Sequence, residues 1–92
     1  MITGFRDKDT EALANNRYVK RFDIIQLSAR KKLAALQVAR GLRDLAAIPG
    51  FRLEALHGDR EGQFSIRIND QYRICFVPEG EDFNDVEITD YH

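Results

Sequence analysis

Apolar and polar residues alternate strictly on both sides of Asn69-Asp70-Gln71, and this defines one β-hairpin over residues 62–76 that the rest of the chain must cover on one face. A three-residue loop there pairs Ile68 with Tyr72 and Ile66 with Ile74 on one side of the hairpin, and sets Arg67 opposite Arg73 on the other. Like charges directly opposed across two strands are destabilising, and Thr or Val would suit both positions better. Two arrangements relieve the conflict. An anion can bridge the guanidinium groups, phosphate above all because arginine forks onto it bidentately. Alternatively, each arginine pairs separately with a nearby Asp or Glu.

A chain of 92 residues forms one domain, 1–92, and its 43% hydrophobic content is enough for a single core. The net charge of −1 is unevenly spread: eight basic residues and one acid, Asp23, lie between Arg17 and Arg43, whereas six acids and no Lys or Arg lie between Glu79 and His92. Such a dipolar chain either presents a basic surface to nucleic acid or neutralises itself within the fold. The single cysteine, Cys75, excludes an internal disulfide and reads as a small packed residue. With no segment near the roughly 20 apolar residues needed to cross a bilayer, and no leader pattern, the expected setting is cytoplasmic, without a membrane.

Taken in order, Met1 to Arg6 reads as a short first strand anchored by Ile2 and Phe5, followed by a helix over Asp9 to Asn15 capped by Asp7, Asp9 or Thr10. Asp23 is placed to cap a helix over Ile24 to Ala39, where Ile25, Ala29, Leu33 and Leu36 form one buried stripe and Arg30, Lys31 and Lys32 lie off it. Gly41 ends that helix, and the spacing of Leu42, Leu45 and Ile48 predicts a further turn or two. Phe51 to Leu56 reads as a connection or edge strand, Pro78 to Phe83 as an acidic loop, and Asp85 to Tyr91 as a last strand with Val86 and Ile88 inward. The expected fold is therefore α+β in the order β-α-α-β-β-β, a small, mostly antiparallel twisted sheet with two helices packed on one face.

Few chemistries are available to these residues. Two histidines, His57 and His92, and one cysteine give no metal-ligand spacing, so no metal and no cofactor are expected. No glycine-rich phosphate loop or nucleophile elbow is present. What remains is a set of Arg, His, Tyr and carboxylate groups in the second half, including Asp90-Tyr91-His92. Such a set suits metal-free RNA phosphoester cleavage, where the neighbouring 2′-OH is the nucleophile and the protein moves protons and stabilises charge.

Three blocks carry a resemblance: Leu53-Glu54-Ala55-Leu56-His57-Gly58-Asp59-Arg60-Glu61-Gly62, then Ser65 to Ile74, then Asp90-Tyr91-His92. They resemble the HigB type of the RelE/ParE toxin superfamily over the whole chain in length and element order. The resemblance implies a small twisted sheet flanked by helices and a ribosome-dependent endoribonuclease that cleaves messenger RNA. It also implies a helix-turn-helix, HigA-like antitoxin as partner, beside the ribosome and its message. Position by position it implies Arg73 as the phosphate-contacting arginine and Tyr91 and His92, with Asp90 beside them, as the C-terminal catalytic group. Some HigB-type toxins have histidine and lysine where this chain has Glu54 and His57. Glutamate at the first position resembles the YoeB branch, which implies Glu54 as base for the 2′-OH, His92 as acid for the leaving oxygen, and Tyr91 as a stacking or phosphate-binding group. His57, Arg60 and Arg67 are then candidates for positioning the RNA backbone, and Arg30, Lys31 and Lys32 for facing solvent or ribosomal RNA. Two other readings stand beside this one: a ParE-like protein that poisons DNA gyrase by binding, and a non-catalytic RNA-binding module.

Overall fold

In the computed structural model, which describes residues 1–90, the hairpin has the expected register, with Ile66 paired to Ile74 and Arg67 to Arg73. Its tip is held by the Asn69 side chain, whose Oδ1 accepts from the Gln71 and Tyr72 amides at 2.9 and 2.7 Å, an Asx-type closure that holds the loop locally. The hairpin is the centre of a four-stranded antiparallel sheet in sequential order: β1 (Glu54–Ala55), β2 (Phe64–Arg67), β3 (Tyr72–Glu79) and β4 (Asp82–Asp90). Three α-helices precede it, α1 (Lys8–Ala14), α2 (Gln26–Val38) and α3 (Gly41–Ala46), so the α+β class with helices on one sheet face holds while the helix count rises from two. The extra helix is the short segment that Leu42, Leu45 and Ile48 predicted; Leu45 is fully buried.

Period two decides the two sheet faces. Ile66, Ile74, Phe76, Val86 and Ile88 point to one side and are buried with Ile25, Ala29, Leu33 and Leu36, the stripe predicted for the long helix. These residues form the core with Leu13 and Leu45 from the flanking helices, and burying each large aliphatic contributes roughly 1.5–3 kcal/mol. Ser65, Arg67, Arg73, Cys75, Glu87 and Thr89 alternate to the opposite side.

Three local expectations need correction. Residues 1–6 are not a strand of the sheet: Ile2 and Phe5 make isolated parallel bridges to Phe83 and Val86. Contacts that recur every third residue cannot form a regular ladder, and Asp85, in the left-handed region at φ 55°, bulges between the two bridged positions. The acidic stretch from Pro78 is not a loop, because β3 continues to Glu79 and β4 begins at Asp82, leaving only Gly80 and Glu81 between them. Finally, Asp23 does not cap the long helix. Residues Lys20–Ile25 form a 3₁₀ segment, and the Asp23 carboxylate instead accepts from the Tyr18 hydroxyl at 3.0 Å. The cap of α1 does follow the sequence, with Asp7 accepting from the Thr10 amide at 2.7 Å.

Thr10 joins the helical layer to the sheet. Its hydroxyl donates to Asp7 at 2.9 Å and accepts from the Ile88 amide of β4 at 3.0 Å, in a position with no solvent exposure. Thr10→Val keeps the shape and leaves that amide without its acceptor. The expected result in urea unfolding is a loss of about 1–3 kcal/mol with an unchanged m-value; a change within about 0.5 kcal/mol, typical of an idle surface position, contradicts this account.

Candidate functional site

Two cross-strand rows of the polar face set out the site. One runs Glu54, Ser65, Cys75, Glu87 from β1 to β4, and the next runs Arg67, Arg73, Thr89. Arg73 therefore lies diagonal to Ser65 and two strands from Glu54, within reach of both. Its Nε–H donates to the Ser65 hydroxyl at 2.7 Å and its Nη2 to the Arg52 carbonyl at 2.8 Å, while the Glu54 carboxylate stands 3.6 Å from the same Nη2. The guanidinium is almost wholly buried and the carboxylate is about half exposed, at 11% and 53% side-chain accessibility. Burial of a charge on this scale requires hydrogen bonds of this kind.

The segment before β1 makes that geometry possible. The Arg67 amide donates to the Phe51 carbonyl at 2.7 Å, which ties residues 51 and 52 to the hairpin. Arg52 then adopts φ 49°, a left-handed conformation that L side chains rarely take. Its carbonyl faces Arg73 as a result.

The opposed arginines settle their repulsion with separate partners. Arg73 takes Ser65, Arg52 and Glu54, and Arg67 forms an ion pair with Asp70 at the hairpin tip, where the carboxylate is fully exposed. An ion pair with so exposed a partner is worth little and exchanges readily with solvent. Arg67 also lies close to Lys32 of α2, whose ammonium sits 5.7 Å from the centroid of the Phe51 ring and donates to Ser28 at 3.3 Å. Burial, then the positive charges of Arg67 and Lys31, lowers the Lys32 pKa below its ordinary value of 10.5. Cations on α2 and β2 thus crowd one another beside Arg73.

Arg60 reaches the other end of the face, donating to Gln63 at 3.0 Å and to Glu87 at 3.2 Å. Arg6 approaches the same Glu87 carboxylate at 3.9 Å. His57 stands at the rim, 4.0 Å from Glu61 and largely exposed, in a shallow depression shared with Glu54 and Arg60. Cys75 is buried beneath the face, and that burial raises its thiol pKa, as befits the packed residue expected.

Not every sequence-picked residue joins this group. Lys31 is exposed on α2. Arg30 turns the other way, donating to the Arg17 carbonyl at 2.9 Å and to Gln26 at 3.1 Å, and lines a cleft with Ile2, Phe5 and Gln37. Asp90 pairs with Tyr72, one residue out of step with Arg73, so strand alternation sets it on the opposite face; its carboxylate accepts from Gln71 at 3.1 Å. Tyr91 and His92 lie outside the described residues. Two contributors escaped the sequence reading: Ser65, whose small hydroxyl in an apolar strand was the available signal, and Arg52, which acts through its backbone. Among the described residues, no three His, Cys, Asp or Glu side chains gather as a metal site would need, and no helix is long and apolar enough to cross a membrane.

Comparison with known proteins places the chain in a family. Over 46 residues the chain is 46% identical to Toxin HigB-1 of Vibrio cholerae serotype O1 (strain ATCC 39315 / El Tor Inaba N16961), a match that covers 50% of this chain and 48% of that protein. The aligned stretch thus spans about half the length of that relative. Residues 5–92 match the family model described as the RelE-like toxin of type II toxin-antitoxin system HigB. That match takes in the helical layer as well as the sheet and its polar face, and the chain belongs to the HigB-like family of type II toxins.

Proposed function

We propose that this chain is a messenger-RNA endonuclease that acts on the translating ribosome and is restrained by a HigA-like helix-turn-helix antitoxin in the bacterial cytoplasm. The observation that carries this reading is the Glu54 carboxylate held 3.6 Å from the buried Arg73 guanidinium. A base and a phosphate binder on one rigid sheet face are the two groups that cleavage by a neighbouring 2′-OH needs first.

In this mechanism the scissile phosphate approaches Arg73 and competes with Glu54 for Nη2. Glu54, half exposed and on the short edge strand β1, turns to the 2′-OH and takes its proton as the 2′-oxygen attacks phosphorus. The bond to the 5′-oxygen breaks, and that oxygen takes a proton from His92, leaving a 2′,3′-cyclic phosphate and a 5′-hydroxyl. Arg73 stabilises the charge that builds on the non-bridging oxygens. Tyr91 stacks on a base or bonds to phosphate, with Asp90 beside it. Arg67, Arg60 and His57 steer the backbone, Lys31 and Lys32 contribute attraction that salt screens, and Arg30 contributes to it from the far side of α2.

Primer extension on translated message tests the reading: codon-placed cuts support it, and uncut message with stalled replication supports a gyrase poison instead. Arg73→Ala should lower cleavage by roughly 10²- to 10³-fold in a protein that still folds, and full activity in that variant removes Arg73 from the mechanism. Glu54→Gln keeps the shape and removes the basicity, so single-turnover cleavage should fall by roughly 10²- to 10⁴-fold with ribosome affinity nearly unchanged. Wild-type rates in this variant would move the role of base to another group.

Lys32 offers a test in which stability and function move in opposite directions. Because its pKa is lowered on folding, the folded chain holds this proton less tightly than the unfolded chain. The charged lysine therefore costs stability at every pH below its lowered pKa, and the cost disappears as pH rises through that pKa towards 10.5. Lys32→Met should raise the unfolding midpoint at neutral pH while reducing the salt dependence of ribosome association by a slope of about 0.7. A lower midpoint, or an unchanged slope, contradicts this assignment.

A further inference from the structure

We propose that Ser65 and the Arg52 peptide form a cradle that fixes the Arg73 guanidinium, and that Ser65 is a positioning residue for phosphate stabilisation by Arg73. The inference rests on the proposed role of Arg73 and adds to it the groups through which the sheet aims that side chain.

Serine is a poor choice for the middle of a central strand, where β-branched and aromatic residues pack best. At position 65 it has no solvent exposure, and a buried hydroxyl is costly unless it is hydrogen-bonded. The bond it makes is to the Nε–H of Arg73, at 2.7 Å. Nε is the part of the guanidinium nearest the backbone, so a bond there fixes the last rotatable torsion of the side chain. The second bond, from Nη2 to the Arg52 carbonyl at 2.8 Å, comes from a different segment of the chain. No rotation of the planar group preserves both. The Arg52 carbonyl takes its position from a left-handed backbone, φ 49°, at a residue that is not glycine, and such outliers persist where the surroundings over-determine them.

The chemical consequence concerns which edge of the guanidinium receives phosphate. With Nε–H committed to Ser65, the side-on fork formed by Nε and Nη2 is closed, and the phosphate meets the nitrogen tips. Those tips are also where Glu54 stands, so the same cradle sets the spacing between base and phosphate. Because Ser65 and Glu54 are paired across β1 and β2, a change in one strand shifts both groups together.

A double-mutant cycle on programmed ribosomes tests the cradle. Ser65→Ala should lower single-turnover cleavage by about 10- to 10²-fold, the scale expected of a misplaced catalytic group, with ribosome affinity unchanged. Ser65→Thr keeps the oxygen on a strand-compatible side chain and should restore most of the rate. In an Arg73→Lys background, which has no Nε–H, Ser65→Ala should have no further effect. An equal effect in both backgrounds would mean that Ser65 acts on the fold generally, and it overturns the proposal. Wild-type cleavage in Ser65→Ala, with Arg73→Ala impaired, overturns the cradle alone, whereas wild-type cleavage in Arg73→Ala overturns the role of Arg73 and the cradle with it. Independently of activity and of any variant, the Arg73 Nε–H proton should be protected from exchange in the NMR spectrum of the wild-type chain; rapid exchange overturns the proposal.

Discussion

Covering one face of a four-stranded antiparallel sheet, and leaving the other to polar groups, is the constraint that organises this molecule. Alternation along β2, β3 and β4 gives each strand an apolar side and a polar one. The helical half of the chain then has one surface to bury against, and the stripe of Ile25, Ala29, Leu33 and Leu36 meets it. The opposite face is free to hold charge, but only where neighbouring strands and the segment before β1 supply hydrogen bonds. Arg73 shows the limit of what such a face can bury: at 9% exposure it depends on a hydroxyl from β2 and on a carbonyl and a carboxylate from the segment that enters β1.

Electrostatically, the face is uneven. At one end Glu87 meets both Arg60 and Arg6, and Arg6 also meets Asp85, so that two arginines face two carboxylates. At the other, Arg67 stands opposite Arg73 and close to Lys32, with the exposed Asp70 carboxylate on Arg67 and the half-exposed Glu54 carboxylate on Arg73. The pKa of Lys32 is lowered there, first by burial and then by the neighbouring charges of Arg67 and Lys31. Stability alone would favour fewer cations here, and this is the part of the face on which the proposed phosphate contact rests.

Much of this could be read from the chain. The hairpin register, the helical stripe, the Asp7 cap and the opposition of Arg67 to Arg73 all follow from periodicity, because side-chain direction repeats by rule in strands and helices. The readings that failed share a different cause. An acidic run signals a loop only if no partner strand stabilises it, and the segment from Pro78 is stabilised by pairing along its length, with Phe83 buried against Phe76 at a ring distance of 5.0 Å. The first residues looked like a strand because Ile2 and Phe5 are apolar, yet their spacing of three fits a bulged neighbour and not a ladder. Asp23 had the chemistry of a cap, but a 3₁₀ segment moved the start of α2 past it. In the site, Ser65 is visible in the sequence as an oddity without a role, and Arg52 is invisible because its contribution is a backbone angle.

Several of the first ten residues find partners in β4, far along the chain. Thr3 donates to Phe83, Arg6 to Val86, and Ile88 to Thr10, so the segment before and within α1 has no complete set of bonds until β4 is in place. During synthesis β4 is the last described element to be made, and contacts of such sequence separation carry the full entropy of closing the loop. The helical layer must therefore wait for the final strand before it can settle on the sheet. A chain assembled in this order cannot present its finished polar face until β4 has been translated, which separates the making of the molecule from its use.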